Sequence, residues 1–362
     1  LVERNAGILG LFTEHGLHGG IQASGRVAWQ GILQQPHQEF TYFCYGEPGS
    51  NLSAIDPPSL WDESNGKTYF AKSRASAIKL ALSHTWRVNS VFVWHLNLLK
   101  LVPFMRVPKA KSIVFLHGIE AWRKLPWLDQ QALKRVNLFL SNSDFTWQRF
   151  LQFNPSFCTY PHLTIPLGIG QEYQGTTPDH GKTPVTLMIS RLEKSEAYKG
   201  HRELILAWPQ VLHKIPNAEL RIIGTGNLKD ELVALVQQLG LVHRVKLLGW
   251  VEEAQKQTLL ENCMCLALPS RAEGFGLVYL EAMRIGRPCL VSVFDAAREV
   301  VNPPEAGLAV DPTNQIALVD ALCRLMTPGK QWDMWTIQAR NRYSENFTAA
   351  RFQKRLAGVF NG

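Results

Sequence analysis

The sequence lacks most of the features that would place it in a special class. Its 362 residues contain no run of about 18 apolar residues, the length a helix needs to cross a bilayer. The first residues lack the charged region and long apolar core of a secretory leader. Six cysteines over this length make no disulfide framework. Cys263 and Cys265 have no second Cys/His pair spaced to complete a zinc site, so they read as buried side chains in a reducing, cytoplasmic setting. Lysine and arginine never form a block and no RNA- or DNA-binding module is recognisable, which sets nucleic acid aside as a partner. No Asp-x-Asp triplet occurs, so one common way of holding a cation on a diphosphate is missing and no metal site is expected. Internal repeats and low-complexity segments are absent as well.

What is present suits two ordinary domains, at roughly 150 residues each. Hydrophobic residues make up 46% of the chain, enough for two cores, and the net charge of +8 favours an anionic partner: nucleic acid, an acidic membrane surface or a nucleoside diphosphate. The most informative stretch runs from Pro269 to Val291 (PSRAEGFGLVYLEAMRIGRPCLV). The apolar run Cys263 to Leu268 before it reads as a strand buried on both faces of a parallel sheet. Residues 270–276 break that run with charge and two glycines. A helix is then expected from Leu277, with Gly286 and Pro288 as its stop and Cys289 to Val293 as the next strand. In open α/β sheets the turn from strand into helix is where ligands bind. Here the amides of Phe275, Gly276 and Leu277 are expected as free donors for anionic oxygens, with Gly274 and Gly276 letting a ligand approach the backbone. Glu281, one turn along the helix, is partly desolvated and matches the two hydroxyls of a ribose.

The same strand, turn, helix pattern recurs along the chain. Ala6 to Thr13 leads through a Gly-rich turn ending at Gly19 and Gly20 into a helix over residues 21–33. Phe40 to Tyr45 reads as a strand, 46–66 as a long loop and 71–82 as a helix. Ser90 to His95, Ser112 to His117 and Leu138 to Ser143 are further strands, with Ser143 a candidate N-cap. Residues 171–184, polar and rich in Gly and Pro, are the candidate linker. After it, Val185 to Ser190 runs into Arg191 and Lys199, which flank one turn and can reach the same phosphates. Glu219 to Ile223 ends at Gly224, and Val245 to Val251 includes Trp250. Residues 314–326 and 347–360 read as helices, the last one amphipathic.

Three strings carry a resemblance to a known family. E-G-F-G-L-V-x-L-E-A-M followed by G-x-P, S-R-L-x-K-S-E-x-Y-K-G-H, and a strand ending in His-Gly-x-Glu at His117 resemble the motifs of retaining, nucleotide-sugar-dependent glycosyltransferases of family 4. The resemblance implies the GT-B fold: α/β, two Rossmann-like domains facing each other across a cleft, with a C-terminal helix crossing back. Mapped onto this chain, it implies an acceptor domain over 1–169, a donor domain over 170–343 and a returning helix over 344–362. It further implies that Gly19 and Gly20 face the donor diphosphate, that Arg191 and Lys199 grip it, and that Glu273 orients the donor sugar. Gly224, Trp250 and Val251 would neighbour the nucleotide, and His117 would lie beside the transferred sugar.

The expected reaction is transfer of a hexose from a nucleotide sugar, UDP-glucose first, with retention of configuration, to a saccharide or lipid-linked glycan. No cofactor beyond that co-substrate is implied, and peripheral contact with the inner face of the cytoplasmic membrane is. The tryptophans Trp61, Trp86, Trp94, Trp122 and Trp127 are candidates for stacking on sugars or meeting a membrane. Two other classes fit the pattern less well. A nucleotide-sugar epimerase would share the fold but need no acceptor. A nicotinamide-dependent oxidoreductase would carry G-x-G-x-x-G in its first turn and an acidic residue at the end of the second strand, and neither is found.

Overall fold

The structure is a computed structural model that describes residues 6–13, 19–34, 38–46, 66–107, 109–177, 179, 181 and 183–360. Turn residues 14–18, nearly all of the 46–66 loop including Trp61, and parts of the 171–184 linker lie outside the described residues. The chain divides into two compact units, one formed by Leu1–Gly170 with Thr348–Gly362, the other by Gln171–Phe347.

The first unit is built on a parallel sheet of β1 (Ala6–Thr13), β2 (Gln38–Tyr45), β3 (Gly66–Ala71), β4 (Ser90–Val93), β5 (Lys111–Leu116), β6 (Leu138–Ser141) and β7 (His162–Thr164), in the order β3-β2-β1-β4-β5-β6-β7. Because the helices cover both faces, its central strands are apolar without alternation: Ile8, Leu9, Leu11 and Phe12 of β1 are all buried. Its helices are α1 (Gly20–Leu33), α2 (Arg74–Ser83), α3 (Trp127–Leu133) and α4 (Asp144–Phe153), with a 3₁₀ stretch at Leu96–Phe104. Ser143 does cap α4, accepting from the Thr146 amide at 3.1 Å. The 46–66 loop of the sequence reading gives way to β3 at Gly66, and the helix expected from residue 71 starts at Arg74. Trp86 and Trp94 are core residues, not sugar or membrane contacts. The Trp94 indole donates to the Ile21 carbonyl at 2.9 Å, and α1 carries Gly25 there because a Cβ would stand 2.8 Å from that indole nitrogen.

The second unit holds β8 (Val185–Ile189), β9 (Glu219–Ile223), β10 (Val245–Gly249), β11 (Cys265–Ala267), β12 (Cys289–Ser292) and β13 (Gly307–Val310), all parallel, in the order β10-β9-β8-β11-β12-β13. Around it lie α5 (His201–Lys214), α6 (Lys229–Gln238), α7 (Glu253–Glu261), α8 (Leu277–Arg284), α9 (Ala297–Val301), α10 (Gln315–Leu325) and α11 (Lys330–Asn346). In each sheet the order of strands reverses direction once, between β1 and β4 in the first and between β8 and β11 in the second. These are the switch points where open α/β sheets leave a crevice for ligands.

The single last helix expected over 344–362 is instead divided between two helices. Residues 344–346 finish α11, and α12 (Ala349–Phe360) begins after a break at Phe347. α12 belongs to the first unit and packs on α1. There the Gln353 amide donates to the Val27 carbonyl at 3.1 Å, over Gly31. The Ala349 amide donates to the Gly170 carbonyl at 2.9 Å, tying the segment that leaves this unit to the one that returns. Among the described residues no helix is long and apolar enough to cross a membrane.

Candidate functional site

The switch point of the second sheet gathers the chemically interesting residues of that unit. β8 ends at Ile189 and releases Ser190 and Arg191 into a turn that tightens to 3₁₀ over Lys194–Lys199 and closes at Gly200. Gly200 is left-handed (φ 88°), and a Cβ on it would lie 2.8 Å from the Pro269 carbonyl. Glycine is therefore required to bring this turn against the loop that follows β11. The Arg271 amide donates to the Tyr198 carbonyl at 2.9 Å and laces the two loops. At the start of α5, His201 is fully buried and meets the Ser190 hydroxyl at 2.6 Å. Burial first, then Lys199, lowers its pKa to about 4, so it is neutral.

Three sequence-predicted residues converge here, around a fourth that the sequence reading left unassigned. Glu196 is buried, pairs with the Arg191 guanidinium on one side, and meets Lys199 Nζ at 3.2 Å on the other. The Arg191 side chain is 74% exposed and that of Lys199 only 15%, so one cation reaches into solvent while the other is fixed. Glu273 completes the cluster. Burial raises its pKa; Lys199 opposes the rise, Glu196 adds to it, and the Phe275 amide and Arg191 lower it. Two cations and two carboxylates thus share one pocket of charge. Glu196 stood inside the S-E-A-Y-K string, but nothing in that string shows which cations it faces.

The loop from Ser270 leads into α8 through Gly276, left-handed at φ 83°, where a Cβ would sit 2.3 Å from the Tyr279 ring. The Phe275 amide lies near the Glu273 carboxylate and lowers its pKa. Phe275 itself is buried and packs edge-on against Phe347 at 6.0 Å. Glu281, on α8, forms an ion pair with Lys256 of α7 at 3.0 Å. Burial raises the Glu281 pKa while Lys256 pulls it down. Lys256 had no signal in the sequence, since its partner lies on another helix.

The remaining donor-side candidates are placed more loosely. Gly224 is needed for a close approach, but the neighbour is protein: its Cβ would fall 1.8 Å from the Ser190 carbonyl. Trp250, 69% exposed, and Val251 follow β10 at the edge of the sheet, two strands from β8.

In the first unit, Gly19 and Gly20 stand exposed at the start of α1, at the carboxyl side of central β1. The backbone of Gly19 is extended, a conformation open to any residue. His117 follows β5 and is buried. Its Nε2 donates to the Trp94 carbonyl at 2.6 Å, which leaves the lone pair on Nδ1. Burial, then His95, pushes its pKa down to about 3 against the pull of that carbonyl. Glu120 accepts from the His117 amide at 2.6 Å and from the Gly118 amide at 3.1 Å, and the Asn142 side chain donates to the His117 carbonyl at 2.6 Å. This site can present a fixed, neutral imidazole.

Two parallel-sheet Rossmann-like units in one chain are the architecture of GT-B glycosyltransferases. Residues 171–342 match the family described as Glycosyl transferases group 1. The chain is 30% identical over 237 residues to the GDP-mannose-dependent monoacylated alpha-(1-6)-phosphatidylinositol monomannoside mannosyltransferase of Corynebacterium glutamicum, covering 60% of this chain and 61% of that protein. It is 31% identical over 216 residues to the N-acetylgalactosamine-N,N'-diacetylbacillosaminyl-diphospho-undecaprenol 4-alpha-N-acetylgalactosaminyltransferase of Campylobacter jejuni, covering 58% of this chain and 56% of that protein. The chain therefore spans about three fifths of the length of these curated relatives. Among solved structures, Anabaena Alr3699/HepE in complex with UDP superposes with a TM-score of 0.74 at 17% identity, covering 98% of this chain and 99% of that one.

Proposed function

We propose that this protein is a glycosyltransferase of family 4 that moves a hexose from a nucleotide sugar to a saccharide or lipid-linked acceptor, with retention of configuration. The observation that carries the reading is the convergence of Arg191, Lys199 and Glu273 at the carboxyl ends of β8 and β11. Cleaving a sugar-phosphate bond builds negative charge on the leaving diphosphate. Fixed cations aimed at its oxygens lower that barrier without reorganising as the charge develops. Arg191 and Lys199 serve as that clamp, Glu273 orients the sugar through its hydroxyls, and Glu281 meets the ribose from the Lys256 pair. On the acceptor side, the neutral His117 offers its Nδ1 as a hydrogen-bond acceptor.

UDP-glucose, expected from the sequence, stands as donor beside GDP-mannose, for which the Corynebacterium relative is named. The two named relatives act on lipid-linked molecules, which supports a lipid-linked acceptor. A peripheral membrane contact fits the first unit: Trp127 and Leu128 are 69% and 71% exposed, a few residues after the exposed cations Arg123 and Lys124. Loss of sedimentation with phosphatidylglycerol vesicles on Trp127→Ser tests that contact; unchanged sedimentation excludes it.

The reaction is tested by hydrolysis of a nucleotide-sugar panel containing UDP-glucose and GDP-mannose, with and without EDTA. Arg191→Ala is expected to lower turnover about a hundredfold to a thousandfold with the fold intact. Near-normal turnover in that variant removes the clamp from the mechanism.

A further inference from the structure

Glu273 is held in place by a residue of the neighbouring loop. Asp295, in the segment between β12 and α9, is 1% exposed. Its Oδ2 accepts the Glu273 amide at 2.9 Å and its Oδ1 accepts the Ala297 amide at 3.1 Å. The Ser270 side chain lies near the same carboxyl and pulls its pKa down. In return, the Ala296 amide donates to the Glu273 carbonyl at 3.1 Å. Both main-chain polar groups of Glu273 therefore end on residues 295 and 296. Ser270 Oγ accepts the Ala272 amide at 3.2 Å, which fixes the turn that leads to Glu273.

A carboxyl in such a place is costly. Burial pushes its pKa up to about 8, with the Glu273 amide pulling the other way and the Glu273 carboxylate adding to the rise. The Tyr279 hydroxyl, from α8, is also close enough to feel it, and is occupied by the Leu268 carbonyl at 2.7 Å. An apolar side chain would fill the same volume at lower cost, but it would leave two buried amides without acceptors.

We propose that Asp295 is a positioning residue that fixes the main chain of Glu273, and so aims the Glu273 carboxylate, governing sugar transfer and not nucleotide binding. This rests on the reading that Glu273 meets the donor sugar. The neighbouring cations do not depend on Asp295: Arg191 and Lys199 are set by Glu196 on the β8 side. Loss of Asp295 should therefore separate the two functions of the site.

The test uses the full chain with Asp295→Asn, Asp295→Leu, Glu273→Gln and the Glu273→Gln/Asp295→Asn pair. Binding of UDP and GDP is measured by calorimetry, and turnover with the nucleotide sugar that the wild type hydrolyses fastest. Asp295→Leu is expected to lose about a hundredfold in kcat, the cost of a misplaced reacting group, while the nucleoside diphosphate Kd stays within about threefold. Asp295→Asn, which keeps one acceptor oxygen and the shape, should lose less, and adding it to Glu273→Gln should cost nothing more. Full turnover in both Asp295 variants, equal losses of kcat and nucleotide affinity, or effects that add to those of Glu273→Gln would overturn the proposal. Should Asp295→Leu not fold, the isosteric Asn variant carries the same comparison. If Glu273→Gln itself turns over like the wild type, the underlying function reading fails instead.

Discussion

Lys199 Nζ stands 3.2 Å from Glu196 Oε2, so the half-buried cation of the proposed clamp is already in an ion pair without any substrate. Arg191 holds the other oxygen of the same carboxylate. Glu196 thereby orders both cations, and its own charge opposes an arriving diphosphate.

Replacing Glu196 with Gln keeps the shape and removes that charge. The repulsion relieved is on the order of 1 kcal/mol or more across a few ångströms of partly screened space, so UDP or GDP should bind about tenfold more tightly. Calorimetry at two salt concentrations measures this. Weaker binding would mean that Glu196 chiefly orders Lys199 and does not compete with the ligand.

Arg287 is fully buried and spends its donors on carbonyls: Leu260 at 3.2 Å, Glu261, and Asp179 at 3.3 Å, with the guanidinium stacked 5.6 Å from Trp332. It thus caps the carboxyl end of α7, the helix that presents Lys256 to Glu281. Arg287→Met should cost about 3 kcal/mol by stranding those carbonyls, and lower the melting temperature by several degrees. A melting temperature equal to that of the wild type would show that water replaces the cap.

His117 titrates near 3 when folded against about 6.5 when unfolded. Between those values the unfolded chain takes up a proton that the native chain refuses. Stability from this group is therefore complete above pH 6.5 and falls as pH drops, by about 1.4 kcal/mol per pH unit. His117→Asn keeps an N–H for the Trp94 carbonyl and removes the ionisation. Denaturant unfolding at pH 7, 6 and 5 should show a shallower decline in the variant; parallel declines would mean that native His117 protonates near its ordinary value.

Gly31 lets α12 lie against α1, since a Cβ there would stand 2.7 to 3.1 Å from Gln353 atoms. Gly31→Val should push the two helices apart and cost about 1 to 3 kcal/mol by overpacking. Hydrogen exchange over residues 349–360 should accelerate while exchange in the second unit does not change. Equal protection in the variant would show that the helices can shift to fit a larger side chain.

The elements that were legible in the sequence are those whose signal is local. The buried strands β1, β4, β5 and β8 are continuous apolar runs, and the turns at Gly200 and Gly276 are marked by glycines that no other residue can replace there. α11 was missed because its sequence KQWDMWTIQARNRYSEN is largely polar. Its buried face is only Trp332, Trp335, Thr336, Ala339 and Tyr343, spaced at helical intervals but diluted by charge. The partners that define the site were hidden for a different reason. Glu196 closes on residues of its own turn, Lys256 on a carboxylate of another helix, and Asp295 on the backbone of another loop. A backbone amide that seeks an acceptor, as Glu273 does in Asp295, leaves no trace in residue type.

The arrangement of α12 bears on how the protein is made. During synthesis the ribosome delivers the whole of the second unit, residues 171–347, before the helix that covers α1 appears. The interrupted first unit must wait with the α1 surface around Gly31 bare, while the later, contiguous unit can finish early. Nascent chains stalled before residue 348 should therefore offer that surface to chaperones, and release of residues 349–360 should close it.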